Sequence, residues 1–186
     1  MKIAVCSDTH LEFGPIDLEN TEGAEVLILS GDIMIAKELH DFPEDITDFE
    51  AGLQTVSHRH LKADQYRKFL NDCSERFPHV VYIAGNHEFY HGSWPGSIDD
   101  LRKTTSKFSN VYFLENETKK IGDVTFVGCT LWTDLNKGDP ITMYHIGDLM
   151  NDYHIIRNSD LGYTKLKPSH TALHHRKSFE YIKHVV

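Results

Sequence analysis

Five polar residues stand just past the ends of three apolar runs: Asp8 and His10 after Ile3–Cys6, Asp32 after Val26–Ser30, and Asn86 and His87 after Val81–Ala84. Carboxylates, imidazoles and a side-chain amide are oxygen and nitrogen donors, and no thiolate is among them. That donor set suits Mn, Fe, Zn or Ni rather than a cysteine-type zinc site. Asp8 and His10 are two residues apart, so in extended backbone they project to one side and can grip one ion. Asp32 follows Gly31, which lets the chain turn sharply, and its two carboxylate oxygens can bridge two ions. Asn86 follows Gly85 in the same way and offers a neutral carbonyl oxygen. Two ions held together can activate a water and clamp the oxygens of a phosphoryl group. His87 then stands where a general acid is needed, facing the leaving-group oxygen.

The elements that position these residues read as an α/β pattern. Lys2–Cys6, Val26–Ser30 and His79–Ala84 are continuously apolar, as expected for strands of a parallel sheet covered on both faces. Ligands of open α/β sheets bind beyond the carboxyl ends of the strands, where all five residues fall. Ser7–Pro15 reads as a loop, and Ala36–Ser57 as an acidic, irregular surface excursion. A helix is expected from Val56, with Val56, Leu61, Phe69, Leu70, Cys73 and Phe77 on one face and Pro78 ending it. His58 and His60 on that helix read as solvent-facing imidazoles. Further on, the pattern predicts a helix over Ile98–Phe108 and a strand over Val111–Leu114. Lys120–Val124 and Thr125–Cys129 read as strands that begin a second sheet. Helices follow over Ile141–Met150 and Ser169–Lys183, the latter with Ser169 as N-cap, and Val185-Val186 reads as the opening of another strand.

Composition narrows the class. With 186 residues, 40% hydrophobic and 25% charged, a single soluble domain with a real core is expected. The net charge of −9 argues against a protein that lives on a nucleic-acid backbone. The apolar run after Lys2 is too short for a signal peptide, and no run reaches the ~18 residues of a membrane span, so no membrane partner and a cytoplasmic location are expected. The odd count of 3 cysteines gives no disulfide framework and points to reduced thiols.

Asp8-Thr-His10, Gly31-Asp32 and Gly85-Asn-His-Glu88 resemble the first three signatures of the calcineurin-like metallophosphoesterase superfamily. Ser7-Asp-Thr-His-Leu-Glu-Phe-Gly14, Gly85-Asn-His-Glu-Phe-Tyr90, Gly128-Cys-Thr-Leu-Trp-Thr-Asp134 and Met150-Asn-Asp-Tyr153 are similar to a bacterial and phage-like branch of it. The resemblance implies a four-layer αββα sandwich with a dinuclear site at its edge, Mn being the first choice of metal. It implies that Asp8 and His10 hold one ion, that Asp32 bridges, that Asn86 holds the second, and that His87 meets the substrate without ligating metal. The implied activity is hydrolysis of a phosphomonoester or phosphodiester by a metal-bound hydroxide. A phosphorylated small molecule, a nucleotide or a phosphoprotein would be the substrate. Ile33-Met-Ile-Ala36 follows Asp32 where protein Ser/Thr phosphatases carry Asp-Arg-Gly, which argues against that branch.

The family continues with a strand ending in His and then a Gly-His-x-His segment, and neither occurs in these residues. His174-His175 lies inside a helical pattern ahead of that strand and is not expected to ligate metal. The domain, residues 1–186, is therefore expected to be incomplete at its C-terminal end, and a second chain could complete it. On its own it is expected to hold at most one ion tightly and to associate across the open sheet edge. The other reading is a non-catalytic or split family member acting as a binding module or as one half of an assembly. Trp132, Asp134, Tyr90 and His91 are candidates to line the substrate site, with Asn151, Asp152 and Arg157 approaching from the second half.

Overall fold

The computed structural model describes the backbone of residues 1–42 and 58–186, and the side chains of 1–42 and 61–186. Residues 43–57 of the expected acidic excursion, and the side chains of His58 and His60, lie outside the described residues.

Four strands form an all-parallel sheet: β1 (Ile3–Cys6), β2 (Val26–Ser30), β3 (His79–Ile83) and β5 (Val111–Phe113), in the order β1-β2-β3-β5. Helix α2 (His58–Arg76) makes the crossover from β2 to β3 and packs Ala63, Tyr66, Phe69, Leu70 and Cys73 into the core. Leu61, expected on that face, is 57% exposed, because two residues of helix turn it about 200° away from Ala63 and the buried stripe that Ala63 shares with Tyr66, Leu70 and Cys73. Helix α1 (Ala36–Asp41) replaces the first part of the expected excursion. Ala36 and Leu39, three apart, are buried there, a spacing that the surrounding charges hide in the sequence.

The opposite sheet face is covered by the hairpin β6 (Glu117–Ile121) and β7 (Val124–Gly128), through Ile121 and Phe126 against Val26, Val81 and Leu114. A second β layer is thus present, with its turn at Gly122-Asp123. Gly122 has φ of 57°, and this left-handed position starts the turn before Val124. The hairpin does not extend over β1. Register puts Ile3 and Val5 on the same face as Val26 and Ile28, and they are 41% and 68% exposed. The expectation of a fully buried first strand fails there. Only its other face, with Ala4 and Cys6, packs on the main core.

After β3 come β4 (Ser93–Trp94) and α3 (Gly96–Thr105); after β7 come the left-handed turn α4 (Leu135–Gly138), α5 (Pro140–Leu149), α6 (Asp152–Ile155), β8 (Arg157–Asn158), β9 (Thr164–Lys165) and α7 (Pro168–Val185). Strands β4, β8 and β9 make a small second sheet. Helix α7 has Lys167, not Ser169, as N-cap, with Pro168 inside the first turn; His170 Nδ1 accepts from the Lys167 N–H at 3.2 Å. The helix continues through Val185, where a strand was expected. Cys6, Cys73 and Cys129 are free, and burial pushes the Cys73 thiol up to about 12. No helix among the described residues is long and apolar enough to cross a membrane.

Candidate metal centre

The loops after β1, β2 and β3 lie side by side at the carboxyl end of the sheet. Asp8 N donates to Gly31 O at 3.1 Å, and His10 N to Asp32 O at 3.0 Å, so the first two loops continue pairing beyond their strands. Gly31 and Gly85 bring the second and third loops together. A Cβ on Gly31 would stand 2.7 Å from Gly85 N, and one on Gly85 would stand 2.1 Å from Asp32 Oδ1. Neither position has room for a side chain.

Asp8, His10 and Asp32 have φ of 54°, 45° and 54°, in the left-handed region. Non-glycine residues there cost on the order of 1–2 kcal/mol each, and such strain collects at functional sites. Asp8 and His10 therefore do not share a side through extended backbone. The neighbouring loop pairing sets their places instead.

His10, Asp32 and His87 each offer a ligand atom within 4.8 Å of the others. Asp8 is outside this cluster. Its carboxylate is exposed and accepts the Ser7 hydroxyl. Asp32 Oδ1 accepts the His87 backbone N–H at 3.0 Å, which fixes the carboxylate against the third loop. Asn86 Nδ2 donates to Asp152 Oδ1 at 2.8 Å and lies 3.3 Å from Tyr90 Oη. An amide with its nitrogen held on one side presents its oxygen on the other. The clustered donors fit a divalent cation: imidazole nitrogen and carboxylate oxygen without thiolate, beside an Asn86 amide held by its nitrogen. His87 lies in the same cluster, so proximity alone does not separate ligand from acid.

Two residues that sequence reasoning did not assign to the site, Glu88 and Glu12, support it, together with Tyr90, which was expected beside the substrate. Glu88 is fully buried and accepts from Asp32 N (3.0 Å), Ile33 N (2.8 Å), Gly85 N (2.7 Å) and Tyr82 Oη (2.9 Å). It ties the second and third loops to one point, and burial pushes its carboxyl up. Glu12 Oε1 lies 2.8 Å from His87 Nδ1 and 3.3 Å from His10 Nδ1. Tyr90 stacks on His87 at 4.0 Å and donates to Asp152 at 2.9 Å. Burial first, then Asp152, raises the Tyr90 hydroxyl pKa. The clue for Glu88 is its place directly after Asn86-His87. Glu12 carries no spacing signal.

A groove of about 370 Å³ opens beside Asn86, lined among others by Gly85, Thr130, Trp132, Met150 and Asp152. Trp132 and Asp152 thus stand where substrate-lining residues were expected, whereas Asp134, His91, Asn151 and Arg157 do not line it. His174 accepts from the Trp94 indole, and His175 Nδ1 lies 2.7 Å from Trp132 O; neither belongs to the cluster.

A profile of the calcineurin-like phosphoesterase family matches residues 1–184. The chain belongs to that family. A family relative, the uncharacterized protein L509 of Acanthamoeba polyphaga mimivirus, is 29% identical over 184 residues, covering 95% of this chain and 59% of the relative. The crystal structure of the phosphopantetheinyl hydrolase PptH from Mycobacterium tuberculosis shares the fold, with a TM-score of 0.63 at 15% identity. The match covers 99% of this chain and 62% of that one, so the chain spans about three fifths of the length of both. Within the family's α/β fold, the loop cluster described above occupies the strand ends at which the metal ligands were expected.

Proposed function

We propose that the chain hydrolyses phosphate esters at a divalent-metal centre held by His10, Asp32 and Asn86, with Asp8 joining them and His87 acting as general acid. The observation that carries this reading is the convergence of His10, Asp32 and His87 within 4.8 Å at the strand ends. When bound, the metal lowers the pKa of a coordinated water and draws charge from the phosphoryl oxygens. The protein's own part is geometric and protic. Asp32 is locked by the His87 N–H, Asn86 is turned by Asp152, and His87 is held between Glu12 and the Tyr90 ring. His87 would deliver its proton to the departing ester oxygen, and the adjacent groove would hold the rest of the substrate. Phosphorylated small molecules, nucleotides and phosphoproteins are the substrate classes, with Mn²⁺ as first metal and Fe, Zn or Ni as alternatives. The test is hydrolysis of p-nitrophenyl phosphate and of bis(p-nitrophenyl) phosphate by purified protein with Mn²⁺, lost on chelation. Absence of turnover with all four metals would refute it.

A second reading, one half of an assembly, is favoured by β1. Val5 is 68% exposed on a sheet face whose other end is covered by the hairpin. A partner chain supplying strands over Ile3 and Val5 would bury that face and the strand edge. Sedimentation that finds only monomer, with full turnover, would exclude this reading.

A further inference from the structure

We propose that Glu12 is the positioning residue for both imidazoles of the site, fixing which ring nitrogen carries the proton. Its Oε1 lies 2.8 Å from His87 Nδ1 and 3.3 Å from His10 Nδ1. A carboxylate only accepts, so each ring must donate Nδ1–H to it. A neutral imidazole that donates at Nδ1 keeps its lone pair at Nε2. One buried carboxylate thereby leaves His10 with Nε2 as its cation-binding nitrogen, and His87 with Nε2 as the atom that gains and gives the proton. The hydrogen bond a ring nitrogen makes sets the tautomer of the other in this way at metal and acid–base sites.

The surroundings support this role. The Glu12 side chain is 7% exposed, and its Oε2 is buried with no hydrogen-bond partner among the described residues. It is thus held for the two histidines rather than for a surface ion pair. The rings of His10 and His87 meet edge to face at 4.3 Å, so rotation of one disturbs the other. The contact to His87 is short and that to His10 long, so Glu12 governs His87 more firmly. Leu11, 1% exposed, anchors the loop from which Glu12 reaches inward, and Gln65 holds the Leu11 carbonyl at 2.9 Å.

The catalytic consequence rests on the functional reading above, but the tautomer does not. The experiment is a two-bond ¹H–¹⁵N correlation spectrum of histidine-labelled, metal-free protein in alkaline solution. The wild type should show His87 and His10 as Nδ1–H tautomers. Glu12→Met, of similar volume without an acceptor, should shift His87 toward Nε2–H, the ordinary form in water. Glu12→Gln, which keeps an acceptor oxygen, should restore Nδ1–H. In turnover, Glu12→Met should lower the rate by roughly 10–100-fold, and more for an alkyl phosphate than for a nitrophenyl one. An Nε2–H tautomer at His87 in the wild type overturns the proposal even if the Met variant does not fold. So does a folded Met variant with unchanged tautomers. If the tautomers behave as stated but no metal supports hydrolysis, the functional reading fails and the positioning role stands.

Discussion

Asp152 Oδ1 stands 2.8 Å from Asn86 Nδ2, across 66 residues of chain. This hydrogen bond holds the Asn86 amide by its nitrogen and restrains its rotation. Asp152 is 2% exposed and also takes the Tyr90 hydroxyl, so its position is fixed from two sides. Asp152→Ala should let the Asn86 amide turn and should weaken Mn²⁺ binding by about 10–100-fold, the usual cost of losing a group that orients a ligand. Titration calorimetry with Mn²⁺ on the two proteins checks this. Tyr90→Phe should have a smaller effect, because Asn86 keeps its shorter bond.

Ligand and acid should separate by metal content. Asp32→Asn removes the charge on which the centre depends, so bound metal should fall. His87→Ala should keep metal while slowing turnover by about 10²–10⁴-fold, the range for a lost general acid. Elemental analysis alongside kinetics distinguishes the two. Equal metal loss in both variants would make His87 a ligand, as its place within 4.8 Å of Asp32 and His10 permits.

Glu88 should matter to stability before it matters to chemistry. Glu88→Ala strips the acceptor from Asp32 N, Ile33 N, Gly85 N and Tyr82 Oη in a fully buried setting. Unsatisfied buried donors cost about 1–3 kcal/mol each, partly relieved by entering water. A net loss of about 3 kcal/mol corresponds to a fall in Tm of roughly 6–12 °C for a domain of this size. Thermal unfolding followed by circular dichroism measures it.

The strands were legible because parallel strands covered on both faces leave an uninterrupted apolar run, and β2 and β3 are such strands. β1 has the same composition but is half uncovered, since apolarity records what a strand can bury and not what lies over it. The site residues were legible from their places after three strand ends. Their geometry was not. Left-handed φ at Asp8, His10 and Asp32 has no signature in residue type beyond the tolerance of Asp and His for it. Glu12 and Asp152 act across 75 and 66 residues, contacts that only the fold creates. The hairpin strands run over Glu117–Ile121 and Val124–Gly128 rather than Lys120–Val124 and Thr125–Cys129, because the turn falls on Gly122-Asp123, inside what read as the first strand.

His174 gives a pH dependence of stability. Burial pushes its pKa from 6.5 down to about 4, and it accepts the Trp94 indole N–H in the neutral form. The unfolded chain therefore binds the proton more readily than the native one. The stabilisation is complete above 6.5 and is lost as pH falls from there toward 4. The ring is only partly buried, so screening reduces the contribution to about 1–2 kcal/mol. Melting curves between pH 7 and pH 4 should flatten in His174→Gln, which keeps an acceptor for the indole but cannot titrate.

A divalent metal held by the loops after β1, β2 and β3 underlies every role proposed for these residues, and anomalous diffraction from crystals grown with Mn²⁺ would locate it. A peak is expected at bonding distance from His10 and Asp32, with the Asn86 oxygen turned toward it and His87 outside its coordination shell. Full-occupancy Mn²⁺ elsewhere on the protein, with nothing between His10 and Asp32, would contradict it.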